Sequence, residues 1–293
     1  MNVKGHFRDL GMLLDKKYEE NHTKIDLKLL QKFKSRGAEQ DFLDACEAIK
    51  NGSPVINPLL LGVQNINEYA LLQSHDSEIN ILTYNHIFKL IKHLNPQSII
   101  DIGCGGGFLP YLISKEYPEI SYFGVDYLEN LLDISKALNP NREFSQFDYL
   151  SDGENFENNA KCIIANRPFS LSDLPVEIKP HITKEVDGIG YCINCAESLK
   201  DALYCYLSNS YRIAPKAEYF IQIQRLPSVQ DYIGFIDGFE RSNWHLSKKY
   251  SRILKARRTD ELLGALVFTK KKSDIMDPSD VIQWMKKNGW EKF

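Results

Sequence analysis

The chain has 293 residues, 43% of them apolar and 26% charged, a globular composition that excludes a disordered or fibrous protein. Its length corresponds to about two domains, or one large α/β domain with an appendage, and burial at this size needs no disulfide or metal staple. A net charge of −3 gives no global electrostatic case for nucleic acid or an anionic membrane.

The first eighty residues read as helices with loops. Leu29, Leu30 and Phe33, then Phe42, Leu43, Cys46 and Ile49, recur at helical spacing, and Asn51-Gly52 is a stop. The stretch from Gly52 to Ser77 is punctuated by Asn, Pro and Ser and reads as irregular. Thr83 is placed to cap a helix with the stripe Tyr84, Ile87, Ile91 and Leu94, closed by Asn95-Pro96. Beyond it, short apolar strands alternate with helices: strands at 98–102, 122–126, 144–148 and 162–165, helices at 108–116 and 128–138. A polar loop at 151–159 separates the third and fourth strands. Helices are expected near 173–182 and 196–211, then strands at 218–224, 246–253 and 262–269, and a helix at 281–287 ending at Asn288-Gly289. Strands apolar almost throughout, alternating with helices, imply a doubly wound, mostly parallel sheet covered on both faces. The last two strands leave no room for a crossover helix, so an antiparallel hairpin should close it. The expected organisation is a helical segment or lid over 1–80, an α/β core over 81–272 and a C-terminal helix over 273–293.

The informative segment is Ile100-Asp101-Ile102-Gly103-Cys104-Gly105-Gly106-Gly107, between a strand and a helix. Glycines there allow a sharp turn and close approach of a ligand to the main chain. The helix that follows offers unpaired N–H groups to an anion. Asp126, twenty-three residues after Gly103, ends the second strand, where a carboxylate can accept from both hydroxyls of a ribose. A nucleoside cofactor with an anionic group follows. In a dinucleotide GxGxxG fingerprint the third glycine would fall at Phe108, so the spacing here is GxGxG, with an acid two residues ahead. A plain turn with a capped strand end is the alternative.

This pattern resembles motif I of the class I S-adenosylmethionine-dependent methyltransferases, over about 84–269. The resemblance implies a Rossmann-like sheet of seven strands and S-adenosyl-L-methionine as cofactor. It places Asp101, Gly103, Gly105 and Gly107 around the methionine end and Asp126 on the ribose hydroxyls. Asp148 would accept from the adenine amine, with Phe147 or Tyr149 against the ring and Asn166 beside the sulfonium. For the methyl acceptor two resemblances compete. Asn166-Arg-Pro-Phe169 resembles the Asn-Pro-Pro-Tyr/Phe motif of DNA and glutamine amino-methyltransferases, in which the Asn side chain and a backbone carbonyl hold the amine; here Arg167 replaces the first proline. Asn166 to Pro175 also resembles, in part, the Asn and Ser-x-Ser-Glu-Met-like turn of bacterial sugar O-methyltransferases. The expected reaction is transfer to a small-molecule oxygen, a sugar or nucleotide-sugar hydroxyl, with Asp173 and His181 as catalytic candidates. Amine methylation of nucleic acid or protein is the alternative, as is a catalytically silent binding module.

The remaining features promise less. Cys192-Ile-Asn-Cys195 is a CxxC, but zinc would want a second pair, and a redox motif should follow a strand and open a helix early in its domain, so no metal or redox role is expected. The basic residues Lys248, Lys249, Arg252, Lys255, Arg257 and Arg258 would spread over two strand faces and read as a solvated surface. Tyr204, Tyr206 and Tyr211 read as packing. Apolar runs such as 58–63 fall far short of the ~20 residues of a bilayer span. With no apolar core after Met1 to mark a secretory signal, the expectation is a soluble, cytoplasmic protein.

Overall fold

A computed structural model describes residues 2–14, 18–51, 58–150, 157–270 and 277–290. It begins with helices α1 (Val3–Asp9), α2 (Tyr18–Ser35), α3 (Glu39–Lys50), α4 (Pro58–Gly62), α5 (Ile66–Gln73) and α6 (Ser77–Leu94). Alternation follows: β1 (Ser98–Ile102), α7 (Phe108–Glu116), β2 (Ser121–Asp126), α8 (Glu129–Leu138), β3 (Glu143–Gln146) and β4 (Cys162–Asn166). A 3-10 turn at Leu171–Asp173 leads to β5 (Thr183–Val186) and β6 (Ile189–Cys192), then α9 (Ile193–Ala202), α10 (Tyr204–Ile213), β7 (Tyr219–Arg225) and α11 (Val229–Arg241). The chain ends with β8 (His245–Leu246), β9 (Arg252–Lys255), β10 (Leu262–Thr269) and α12 (Pro278–Lys287).

These elements form two compact units, Met1–Phe88 with Cys104–Gln146, and Lys89–Gly103 with Phe147–Phe293. In the first, β2 and β3 pair in parallel from Phe123 opposite Glu143 to Asp126 opposite Gln146. Phe7 of α1 packs edge-on to Tyr84 of α6 at 5.2 Å and lies 5.4 Å from Phe108 of α7. Asn130 of α8 donates to the carbonyls of Leu60 and Val63 at 2.8 and 3.0 Å, which ties the end of α4 to α8. Two expectations change here. Helices α4 and α5 occupy half of the stretch read as irregular, whose residues 52–57 lie outside the described residues. Helix α6 starts at Ser77, so Thr83 is interior and buried, its hydroxyl donating back to the Asn80 carbonyl instead of capping.

In the second unit β1, β4 and β7 run parallel, β10 is antiparallel to β7, and both β8 and β9 are antiparallel to β10. The antiparallel closure is as expected, but the strand expected over 246–253 is broken in two. Tyr250 and Ser251 N–H both turn back to the Ser247 carbonyl, and the Ser251 hydroxyl takes the Val267 N–H at 2.9 Å, replacing a ladder bond. The intervening Lys248-Lys249 offers no apolar side chain to a sheet face. The helix expected at 173–182 is absent: Pro180 lacks an N–H, Ile178 is 96% exposed, and no apolar stripe exists to bury. The helix expected at 196–211 divides at Leu203 into α9 and α10.

Helix α11 was not anticipated. It is amphipathic, burying Tyr232, Ile233, Phe235, Ile236 and Phe239, and opens with a capping box between Ser228 and Asp231. Phe239 stacks on Phe268 of β10 at 3.9 Å and meets Phe220 of β7 at 5.0 Å, with Trp244 behind Phe220. Tyr206 is fully buried, whereas Tyr204 and Tyr211 are exposed and do not pack as expected. Among the described residues no helix is long and apolar enough to cross a membrane.

Candidate cofactor and acceptor site

The loop from Gly103 to Gly107 leaves β1 and opens α7. Gly103, Gly105 and Gly107 have φ of 72°, 55° and 80°, the left-handed region that an L side chain rarely enters. In the first unit the loop is held at several atoms. Gly105 N–H donates to Asp126 Oδ2 at 2.8 Å and Cys104 N–H to the Val125 carbonyl at 3.0 Å. The Gly105 carbonyl accepts from Ser135 Oγ and the Gly107 carbonyl from Asn139 Nδ2, both on or beside α8. Tyr69 of α5 lies on this loop: a Cβ at Gly105 would sit 2.4 Å from its hydroxyl, and one at Gly106 would sit 2.4 Å from its ring. Sequence reasoning passed over Tyr69, because the segment carrying it looked irregular.

Asp126 is 7% exposed, and both of its oxygens already accept backbone N–H groups, since Oδ1 takes Leu128 N–H at 2.9 Å. Burial pushes its carboxyl above the usual carboxylate range, against the pull of the Leu128, Gly105 and Tyr127 N–H groups. The acid therefore has a structural task, fixing the loop to the tip of β2. With three backbone N–H groups against four acceptor positions, the carboxylate keeps one for a ligand hydroxyl.

In the second unit Asp101 is buried in β1 opposite Ile164 of β4. A Cβ on Gly103 would lie 2.8 Å from Pro168 Cα, so the segment after β4 packs on the start of the glycine loop. That segment is pinned firmly. Arg167 has φ of 55° and donates its N–H to the Ile223 carbonyl at 2.8 Å. Tyr149 donates its hydroxyl to the Pro168 carbonyl, and Gln224 donates to the Phe169 carbonyl at 3.0 Å. Asn166, the last residue of β4, has a buried Oδ1 with no hydrogen-bond partner among the described residues. A buried acceptor left open at a strand tip calls for a donor.

The other candidates are placed less suggestively. Phe147 is buried, and Asp148 accepts Leu150 N–H at 3.0 Å, the behaviour of a turn cap. Asp173 Oδ2 takes Ser170 N–H at 2.6 Å within its own turn. His181 faces two thiols, its Nδ1 lying 3.4 Å from Cys192 Sγ and 3.2 Å from Cys195 Sγ.

Parallel strands alternating with helices, a glycine loop after the first strand, an acid at the tip of the second and a final antiparallel strand define a Rossmann-like fold of the methyltransferase type. Comparison with known proteins points the same way, although no family model matches the chain. It is 31% identical over 100 residues to the ribosomal RNA small subunit methyltransferase A of Mycoplasma genitalium, covering 32% of this chain and 37% of that protein. It is 29% identical over 118 residues to the release factor glutamine methyltransferase of Aliivibrio fischeri, covering 34% and 40%. The chain thus spans about two fifths of the length of the curated relatives it matches. Among solved structures, PigF with SAH aligns over 72% of this chain and 61% of its own, with a TM-score of 0.47 and 15% identity.

Proposed function

We propose that the chain is an S-adenosylmethionine-dependent methyltransferase and that its acceptor is a planar amine or amide nitrogen held at Asn166–Phe169. The observation that carries the acceptor is the buried, unpartnered Oδ1 of Asn166, two residues from a proline packed on the glycine loop. When bound, the cofactor supplies an electrophilic methyl group. This chain's own residues hold the partners of an in-line displacement. Gly103, Gly105 and Gly107 allow the loop its left-handed turns, and the remaining acceptor position of Asp126 receives a ribose hydroxyl. Asp101, Phe147 and Asp148 remain candidates for the rest of the cofactor.

A planar nitrogen has its lone pair delocalised, so it is a weak nucleophile. Accepting its N–H at Asn166 Oδ1 orients the group and stabilises the positive charge that grows on nitrogen as the methyl arrives; the methylated nitrogen, now acidic, then gives its surplus proton to solvent. The two curated relatives, a ribosomal RNA methyltransferase and a release factor glutamine methyltransferase, fit this acceptor chemistry. The sugar-hydroxyl acceptor has less support. A hydroxyl must lose its proton, and the two candidates for that task, Asp173 and His181, are engaged with Ser170 N–H and with the Cys192 and Cys195 thiols.

The test is S-adenosylhomocysteine formation against three panels: adenine-containing RNA, glutamine-containing peptides and nucleotide sugars. The expected result is turnover with an amine or amide panel that falls ~10²-fold or more in Asn166→Ala, while calorimetry shows cofactor affinity little changed. Transfer to sugars alone, or full activity of Asn166→Ala, overturns the acceptor. Cofactor binding without turnover on any panel leaves a silent binding module.

A further inference from the structure

The proposed function makes no use of one cluster, at the junction of β6 and α9. Strand β6 ends at Cys192, which is also the N-cap of α9, and Cys195 is the third residue of that helix. The CxxC therefore follows a strand and opens a helix, although it comes late in the chain. Cys195 N–H donates to Cys192 Sγ at 3.2 Å, and the Cys195 thiol donates to the same sulfur at 2.6 Å. His181 completes the group from the preceding loop, its Nδ1 within 3.4 Å of both sulfurs. It is the one group of three histidine, cysteine or acidic side chains found among the described residues with metal-ligand spacing.

We propose that Cys192 and Cys195, with His181 beside them, form a redox-active dithiol that exchanges with small-molecule disulfides such as glutathione disulfide. Cys192 is the attacking sulfur. Its partial burial works against a thiolate, but hydrogen bonds from Cys195 Sγ and N–H, from His181 and from Ile182 N–H outweigh that and bring it down to about 6. Cys195 is pushed up to about 11, first by burial, then by the hydrogen bond it gives to Cys192 and the negative charges of Cys192 and Asp231 on α11. One sulfur is thus ionised at neutral pH while its neighbour holds its proton, the division of labour that exchange requires.

The steps balance. Cys192 thiolate attacks one sulfur of the small disulfide, forming a mixed disulfide and expelling one thiolate. Cys195 loses its proton to solvent and attacks Cys192 Sγ, breaking the mixed bond and expelling the second thiolate, while His181 Nδ1–H stays on the Cys192 side. The protein loses two electrons and the small disulfide gains them, leaving as two thiols once its thiolates are protonated. His181, Cys192 and Cys195 offer three ligand atoms among the described residues, one short of the four of a tetrahedral structural zinc site.

Reduced full-length protein equilibrated with glutathione at increasing disulfide fraction, then alkylated and mapped by mass spectrometry, tests this. Cys192 and Cys195 should lose alkylation together, while Cys46 and Cys205 keep it. Cys195→Ser should stop at a glutathione adduct on Cys192. Cys192→Ser, which retains a good N-cap residue, should form no internal disulfide. His181→Asn should raise the pH at which Cys192 is alkylated and slow formation of the glutathione adduct at neutral pH. Alkylation of Cys192 in Cys195→Ser should titrate with pH well below an ordinary thiol. Persistence of both thiols in excess glutathione disulfide overturns the proposal, and so does one equivalent of zinc that survives dialysis and protects both from alkylation.

Discussion

The contact between Tyr69 and the glycine loop gives a sharp test of how the first unit holds its cofactor loop. Gly105→Ala meets two separate obstacles. Its φ of 55° is left-handed, costing roughly 1–2 kcal/mol for a residue with a Cβ. The added methyl would also sit 2.4 Å from Tyr69 Oη but 3.3 Å from Cζ, an overpacking term of about 1–3 kcal/mol. Together they predict a loss of ~2–5 kcal/mol in the wild-type background. Tyr69→Phe removes only the oxygen, so in that background Gly105→Ala should retain the backbone term of roughly 1–2 kcal/mol. The double-mutant cycle, read from urea denaturation of the four proteins, isolates the clash from any bond the hydroxyl makes elsewhere. A coupling of ~1 kcal/mol or more is expected. Equal costs in the two backgrounds would mean that Tyr69 does not rest on the loop, and the description of α5 as its cover would fail.

Asp126→Ala should weaken S-adenosylmethionine binding by ~1.5–3 kcal/mol in calorimetry, because a charge-assisted acceptor is lost and Gly105 N–H is freed with it. Burial raises the Asp126 carboxyl in the fold, so the native state binds its proton more tightly than the unfolded chain; its contribution is complete below about pH 4 and is lost as pH rises through the raised value. Stability of wild type relative to Asp126→Asn should accordingly shrink as pH climbs from about 4, and a growing difference would reverse the sign of the argument. Gly234→Ala places a methyl 2.3 Å from the Ala196 carbonyl oxygen on α9, a backbone atom that cannot swing aside, and should cost the upper part of about 1–3 kcal/mol in denaturant unfolding. Ser228→Ala breaks the capping box of α11 and should cost ~1 kcal/mol by the same measurement.

The sheet was legible because its signal is local. Ile99, Ile100 and Ile102, or Cys162 to Ala165, are apolar on both faces, and only a strand covered on both sides buries such a run. The misplaced helices failed for tertiary reasons. Nothing in the residues from Ile66 to Gln73 alternates at helical period, since Glu68 to Leu72 are all buried; the surroundings, not an amphipathic face, make α5 a helix. Helix α11 was legible in principle, with Ser228 and Asp231 in capping-box spacing ahead of an apolar stripe, yet Gly234 and Gly238 lower its intrinsic propensity. Those glycines are explained by neighbours on α9 and by Leu203, which no local pattern reveals.

The site divides along the same line. Glycines at 103, 105 and 107 and the acid at 126 announce themselves because left-handed backbone and strand-tip carboxylates have few substitutes. The acceptor end depends on which atoms lack partners after folding, and that is a property of packing. Asn166 and Asp173 are equally polar in the sequence; in the fold Asp173 Oδ2 holds Ser170 N–H within its own turn, whereas Asn166 ends β4 two residues before the Pro168 that packs on Gly103. The dithiol was within reach of the sequence. Asp187-Gly188, with φ of 53° and 76°, makes the two-residue turn between β5 and β6, and Asp-Gly flanked by β-forming residues is a strong short-range hairpin signal. A strand on its far side ends at Cys192, and the same hairpin pairs Cys192 with Thr183, two residues beyond His181. Antiparallel pairing, not spacing along the chain, is what brings an imidazole eleven residues upstream onto the two sulfurs.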